Sequence, residues 1–167
     1  MKKNLSIAAI SCMVMVVIMQ WQGSSLKTPT AKRGILDLEF ARTPELLQTA
    51  LSGWDLSAVK MNIWLDFAFI VTYVVFLSLA AEITAGKWGN IRWLSQTGLF
   101  LARAAYVAGV LDIAENLLML KTISGSYDAI SLQLTFYCAV VKFILAGLII
   151  VYLFLSLPRM LRKNESH

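Results

Sequence analysis

The stretch LQLTFYCAVVKFILAGLIIVYLFLSL, residues 132–157, decides the fold class, because it is almost wholly apolar and contains a single charged side chain, Lys142. An α-helix needs about 20 mostly apolar residues to cross the hydrocarbon core of a bilayer. This stretch is therefore predicted to be a membrane-spanning helix. Three more stretches of similar character are predicted to span the membrane, at residues 5–21, 63–83 and 97–120.

The composition of the whole chain supports the same interpretation. Of the 167 residues, 58% are hydrophobic and 15% are charged, and the mean hydropathy is +0.68. Soluble domains usually contain about 25% charged residues, so this composition is not that of an ordinary water-soluble protein. The length allows one domain. We therefore predict an all-α fold, a four-transmembrane-helix bundle that forms a single integral membrane domain over residues 1–167.

The first predicted helix has two features of a signal peptide, because Lys2 and Lys3 precede its apolar stretch. Cleavage requires small residues at the end of such a stretch. This one ends in Met19, Gln20 and Trp21, which are bulky residues. We therefore predict that the first helix is an uncleaved membrane anchor.

The basic residues near the helix ends predict the topology, because lysine and arginine are enriched in cytoplasmic loops. With both termini in the cytoplasm, the shorter segments carry the higher density of these residues. The residues assigned to the cytoplasmic side are Lys2, Lys3, Lys87, Arg92, Arg159, Arg162 and Lys163. The outer segment, residues 22–62, then lies on the opposite face of the membrane.

The outer segment is predicted to contain one short amphipathic helix that lies on the membrane surface or caps the bundle. Thr43 is a good N-cap, Pro44 fits the first helical position, and Gly53 is suited to ending the helix. Its apolar side chains recur at helical spacing and are predicted to share one buried face: Leu46, Leu47, Ala50, Leu51 and Trp54.

Ionisable residues within the predicted spans are the candidates for function, because a lone charge at bilayer depth costs about 2.5–3.5 kcal/mol or more. The third span carries Asp112, Glu115 and Asn116 at positions i, i+3 and i+4, which places them on one helical face. The predicted topology brings Asp66 and Lys142 to a similar depth on the neighbouring spans. Asn116 is then suited to orienting a bound group and Lys142 to balancing the charge of the acids.

Three carboxyl groups and one ammonium group at one depth cannot all remain charged without a partner. Either Lys142 neutralises one carboxylate and another keeps its proton, or a cation binds among them. We therefore predict a polar ligand-binding pocket, with a divalent cation on Asp66, Asp112 and Glu115 as one candidate occupant. Tyr73, seven residues after Asp66 on the same face, joins the predicted ligand-binding residues. A structural salt bridge that fixes helix register is the competing interpretation.

Several motifs resemble those of an uncharacterised family of small bacterial four-helix integral membrane proteins. They are GILDLEFA at residues 34–41 with TPE at 43–45, LDFAFI at 65–70 with Tyr73, and LDIAEN at 111–116. The resemblance covers about residues 34 to 145 and implies a location in the bacterial cytoplasmic (inner) membrane. It also implies that Asp37, Glu39 and Trp54 belong with the acids of the spans, so Asp37 and Glu39 are predicted to close the pocket from outside.

Several function classes are excluded by the sequence. The net charge of +5 comes with no basic patch interleaved with aromatic residues, so no nucleic-acid partner is expected. No GxSxG, P-loop, HExxH or GxGxxG motif of soluble enzymes is present. Cys12 and Cys138 lie within apolar stretches and suit neither a disulfide framework nor a metal site.

Three functional hypotheses stay open at this point. The first is a multi-pass membrane protein whose outward-facing acidic pocket binds a cation or a lipid-like ligand. The second is a membrane enzyme that acts on a lipid by carboxylate acid–base catalysis. The third is a structural or assembly subunit whose polar face contacts a membrane partner or a second copy in a homo-oligomer. A hydrophobic tunnel that reaches the acids favours the second, and a sealed cluster without a cavity favours the third.

Overall fold

The structure is a computed structural model that describes residues 2–161, with side chains described for residues 3–159. Arg162 and Lys163, predicted to lie in the cytoplasmic tail, are outside the described residues. The described chain consists of helices and connecting loops, and the predicted all-α class is confirmed. Four helices are long and apolar enough to cross a membrane, by length and composition.

The helices follow one another along the chain with short connections. They are α1 (Lys2–Gly23), a 3-10 helix (Ser24–Leu26), α2 (Leu36–Glu39), α3 (Pro44–Leu51), α4 (Leu56–Lys87), α5 (Arg92–Ile123) and α6 (Ala129–Leu161). We call residues 24–55, between α1 and α4, the capping segment. Each long helix extends beyond its predicted span at both ends, because helical hydrogen bonding continues into the flanking polar residues.

The helix α4 begins at Leu56, well before residue 63, which was its predicted start. Asp55 provides the reason, because its carboxylate accepts a hydrogen bond from the Ser57 backbone N–H at 2.9 Å and so caps the first turn. The loop between the first two long helices is therefore the capping segment rather than the predicted residues 22–62.

The helix α6 continues past residue 157, its predicted end, and includes Pro158. Proline removes one backbone hydrogen bond from a helix, but other contacts hold this last turn. Arg159 donates from Nε to the Lys87 carbonyl oxygen at 3.2 Å, and its guanidinium lies 5.5 Å from the centre of the Trp88 ring. The end of α6 is thus fixed against the end of α4.

In the bundle, α4 packs against α1, α5 and α6, and α5 packs against α6. Small residues bring α4 and α5 close together. Ala105 and Ala108 are fully buried. A Cβ added to Gly109 would lie 2.6 Å from Cγ2 of Val74, so a larger residue there would push the two helices apart.

The capping segment packs over one end of the bundle through its apolar side chains. Leu26, Leu47 and Trp54 are buried there, and the Trp54 indole N–H donates to the Leu26 carbonyl oxygen at 2.7 Å. Trp54, which the family resemblance placed with the acids, is therefore part of this apolar core. The segment covers the ends of the long helices, and its side chains form one apolar cluster with those of the helix ends. The cluster includes Leu26, Leu38, Leu47 and Trp54 of the segment, Ile63 of α4, Met119 and Ile123 of α5, and Leu132 of α6.

The predicted short helix of the capping segment is present as α3. Thr43 is its N-cap, and the Thr43 hydroxyl oxygen accepts from the Leu46 backbone N–H at 3.4 Å. Gly53 follows the helix end with a φ of 84°, a left-handed conformation that glycine adopts without strain. The predicted buried face was wrong at Leu46, which is 52% exposed, because the helix is turned so that Leu47 and Ala50 face the bundle.

Candidate functional site

The acids predicted from the sequence meet where α4, α5 and α6 come together, and Lys142 of α6 lies at their centre. Its Nζ lies 2.6 Å from Oδ1 of Asp112 and 2.9 Å from Oε2 of Glu115, both on α5. The Tyr73 hydroxyl of α4 donates to Oδ2 of Asp112 at 2.8 Å. Both oxygens of Asp112 therefore have a donor.

Two more acids approach this group from α4 and from the capping segment. Asn116 Nδ2 donates to Oδ2 of Asp66 at 2.8 Å. Glu39, at the end of α2, places its Oε2 at 3.7 Å from Nζ of Lys142. We call the following residues the acidic cluster: Glu39, Asp66, Tyr73, Asp112, Glu115, Asn116 and Lys142.

Most of the acidic cluster is shielded from solvent, although charged residues usually lie on the surface of a protein. Glu115 and Asn116 are fully buried, and Glu39 is 6% exposed. The buried atoms Glu39 Oε2, both carboxyl oxygens of Glu115 and Asn116 Oδ1 accept no hydrogen bond. Glu115 Oε2 and Glu39 Oε2 are nevertheless in ionic contact with Lys142, at 2.9 Å and 3.7 Å, so the atoms with neither a hydrogen bond nor an ionic contact are Glu115 Oε1 and Asn116 Oδ1.

The charges of the acidic cluster do not balance. Four carboxyl groups face one ammonium group, so they cannot all be ionised without a further cation or bound protons. Glu39 lies outside the four long helices, and its pKa is raised because burial disfavours the charged carboxylate. The Lys142 ammonium opposes this rise in the pKa of Glu39, and the Asp112 carboxylate adds to it.

A cavity of about 640 Å³ reaches the acidic cluster from the capped end of the bundle. Lys27 and Arg33 of the capping segment line its outer part. Its far part is apolar and is lined by Leu77 of α4, Ile150 of α6 and Cys12 of α1. Along α4, the lining residues extend from residue 62 to residue 77, which is about 22 Å at the usual helical rise.

The cavity divides the acidic cluster into two groups. Five of its residues line the cavity, namely Glu39, Asp66, Tyr73, Asp112 and Lys142. Glu115 and Asn116 lie behind them, fully buried between the helices. Glu115 therefore holds Lys142 in place through their ion pair, and Asn116 holds Asp66 through a hydrogen bond. The five residues that line the cavity can contact a molecule in it.

Asp37, predicted to join the acids, is placed outside the acidic cluster. Its Oδ1 lies 2.7 Å from Nη2 of Arg33, and its Oδ2 accepts from the Arg33 backbone N–H at 2.9 Å. Asp37 thus holds Arg33, which lines the outer part of the cavity, instead of closing the pocket itself. The i, i+4 spacing of the two residues in the sequence was the available signal for this pair.

The contribution of α1 to the cavity was missed by sequence reasoning. Cys12, Met19 and Gln20 line one side of it. Because α1 carries no charged residue between Lys3 and its end, nothing in the sequence indicates which of its faces points inward. The side of α1 is set by its packing on α4, and this packing becomes visible only in three dimensions.

The geometry gives no support to the predicted metal site on Asp66, Asp112 and Glu115. Within the described residues, no group of three or more His, Cys, Asp or Glu side chains is arranged to hold a metal ion. The Lys142 ammonium contacts Asp112 and Glu115 directly and takes the position that a cation between them would need.

Comparisons with known proteins add no assignment. No protein-family model matches the chain, and neither the curated proteins nor the solved structures contain a match. The resemblance to small bacterial four-helix membrane proteins therefore stays a prediction. The functional argument depends on the acidic cluster and the cavity.

Proposed function

We propose that this chain is a multi-pass membrane protein that binds a lipid-like ligand in the cavity between α1, α4 and α6. The observation that carries the proposal is the change in polarity along the cavity. Polar and acidic side chains, among them Glu39 and Asp66, line it near the capped end, and apolar side chains such as Leu77 and Ile150 line its far part. An amphiphile has the same order of polar and apolar parts.

The size and the walls of the cavity support an amphiphile over a small hydrophilic solute. Ligand sites usually have volumes of about 300–1,000 Å³ and mainly apolar linings with a few polar groups. The helices α1 and α6 both line the cavity. Among the long helices, α1 packs mainly against α4 rather than against α6. We infer that a chain reaches the cavity from the bilayer through the gap between α1 and α6.

The proposed topology places both termini in the cytoplasm and the capping segment on the outer face, so the cavity opens outward. The basis is the density of lysine and arginine in the short segments. Large apolar side chains exposed along all four long helices, such as Met13, Val71, Phe100 and Phe154, support a lipid environment around the bundle.

A second candidate function is a membrane enzyme that acts on a lipid by carboxylate acid–base catalysis. One observation favours it, because Glu39 lines the cavity and its pKa is raised by burial, as is common for a general acid. Incubation of the purified protein with a total lipid extract, followed by mass spectrometry, tests this candidate. Enzymatic action requires a lipid change that the parent protein produces and Glu39→Gln does not.

The binding proposal is tested with hexadecanol that carries a photoreactive diazirine in its chain. We expect saturable labelling of the purified protein in a neutral detergent, with adducts at cavity-lining residues such as Cys12 and Ile150. Ala146→Phe places a ring at the apolar wall of the cavity and should reduce this labelling several-fold. Ala68→Phe makes the same change at an exposed position of α4 and should leave it unchanged.

A different labelling pattern would contradict ligand binding in the cavity. Labelling that does not saturate, spreads over the exposed faces of the helices and is equal in the two variants would mean that the cavity holds no ligand. The thermal unfolding of both variants is measured alongside, so that a loss of labelling through misfolding is recognised.

A further inference from the structure

Two acids that line the cavity, Glu39 and Asp66, are incompletely neutralised and have few hydrogen-bond donors. Lys142 is in close contact with Asp112 and Glu115, so its ammonium is already shared by two carboxyl groups. Asp66 receives one hydrogen bond, from Asn116 to Oδ2. Glu39 reaches Lys142 only at 3.7 Å. Both acids line the cavity.

Glu39 makes the strongest case for a ligand. It lines the cavity and is 6% exposed, its buried Oε2 accepts no hydrogen bond, and the cation beside that oxygen, the Lys142 ammonium, lies 3.7 Å away. A buried carboxyl oxygen without a donor is costly, and native structures usually supply one. The missing donor can come from a molecule in the cavity.

The basic residues near the opening do not offer an equivalent site for an anion. Arg33 is paired with Asp37 at 2.7 Å, and 61% of its side chain is exposed. Lys27 is exposed as well. The excess charge that is shielded from solvent is therefore the negative charge of the acids.

We propose that the ligand of this cavity is a single-chain amphiphile with a primary ammonium group, and that Glu39 and Asp66 bind this ammonium as its specificity-determining residues. The inference rests on the proposed function, because it requires a lipid-like ligand in the same cavity. An ammonium group has three N–H donors and one positive charge. It therefore supplies a donor to each acid and reduces the charge imbalance of the acidic cluster. The apolar chain then extends along Leu77 and Ile150.

The test is competition against the photoreactive hexadecanol in a neutral detergent at pH 7. The competitors are hexadecylamine, hexadecanol and hexadecanoate, which share one chain length and differ in the head group. We expect the amine to displace the probe at an at least tenfold lower concentration than the alcohol, and the carboxylate to be the weakest. An alcohol equal to the amine, or a carboxylate that competes best, would overturn the inference.

Variants of the two acids provide an independent arm. Glu39→Gln and Asp66→Asn each keep the side-chain size and remove the charge, so each should reduce the advantage of the amine over the alcohol several-fold. Asp37→Asn is the matched control, because Asp37 pairs with Arg33 outside the acidic cluster. An advantage that survives both substitutions would contradict the assignment of the ammonium site.

The two levels of the proposal fail in different ways. If the photoreactive hexadecanol does not label the cavity at all, both the proposed function and the ammonium site are wrong. If it labels the cavity saturably but the amine has no advantage, lipid binding stands and the ammonium site is wrong.

Discussion

The two ends of the bundle use polar side chains in different ways. At the end opposite the capping segment, polar groups join one helix to another. Trp88 donates to Oγ of Ser156 at 2.9 Å, Arg159 donates to Oδ1 of Asn90 at 2.8 Å, and Tyr152 donates to the Leu94 carbonyl oxygen at 3.2 Å. We call this the closed end.

The acidic cluster near the capped end has the same kinds of groups but leaves some of them incomplete. Glu39 Oε2 and Glu115 Oε1 are buried without a hydrogen-bond donor, and a cavity reaches the first of these residues. Polar groups whose hydrogen bonds are all made stabilise a fold, whereas buried polar groups that lack a partner suggest a site where a ligand binds. We therefore infer that the polar groups of the closed end stabilise the fold, whereas those of the acidic cluster are candidates for ligand binding.

The largest expected effect is on the acidic cluster itself. Lys142→Met removes the one ammonium and leaves Asp112 and Glu115 buried without a cation, which should lower the free energy of unfolding by about 3–5 kcal/mol. Reversible unfolding in mixed micelles measures this change. Lys121→Met, at an exposed position on α5, is the control and should change it by less than about 0.5 kcal/mol. Equal losses in both variants would contradict the central role of Lys142.

A smaller effect is expected from crowding the closed end. A Cβ at position 98 would lie 2.7 Å from Cζ of Tyr152 and 2.8 Å from Cβ of Ala85, so Gly98→Ala should cost about 1–3 kcal/mol of stability. Labelling of the cavity should not change. Gly147→Ala introduces the same methyl group into α6 where nothing lies within 4 Å, and should be neutral or stabilising. A loss of labelling in Gly98→Ala would mean that the two ends are coupled.

Removing one hydrogen bond at the closed end should have a still smaller effect. Trp88→Phe keeps an aromatic ring but removes the donor to Ser156, which should cost about 1 kcal/mol. Trp93→Phe changes a residue that is 67% exposed and should have almost no effect on unfolding in detergent. If the two substitutions behave alike, the Trp88 hydrogen bond does not stabilise the closed end.

The smallest effect is a pH dependence that comes from Glu39. Its pKa in the folded protein is raised above the usual 4.5, so the folded state binds this proton more tightly than the unfolded chain does. The contribution of Glu39 to stability is therefore fully present below pH 4.5 and is lost as the pH rises through the raised pKa.

Glu39→Gln cannot ionise and should lack this decline. The measurement is the difference in melting temperature between parent and variant across the pH range, because acids far from position 39 titrate in the same way in both proteins. The parent should fall relative to the variant as the pH rises. A constant difference would show that Glu39 does not titrate above its usual range.

Much of the fold follows from the sequence, because long apolar stretches have few alternatives to spanning helices. The same holds for the core of the site, since the spacing of Asp112, Glu115 and Asn116 fixes them to one face of α5. The sequence could not predict which residues of that face line the cavity and which lie behind it. Whether Glu115 faces the cavity or lies behind Lys142 depends on a small rotation of α5 set by its packing on two neighbours.

The capping segment was harder to predict than the long helices. Neighbouring residues in it have opposite roles, with Glu39 inside the acidic cluster and Asp37 bound to Arg33 outside it. A single turn of helix, α2, decides which carboxylate points inward. One turn is too short for a hydrophobic pattern to define its orientation, and the family resemblance implied the same role for both acids.

The most direct test of the account is an experimental structure of the protein purified in a mild detergent with its native lipids. We predict elongated density in the cavity, with one end beside Glu39 and Asp66 and the other between α1 and α6 near Ile150. A bundle in which α1 packs on α6 and leaves no space beside these acids would contradict the account.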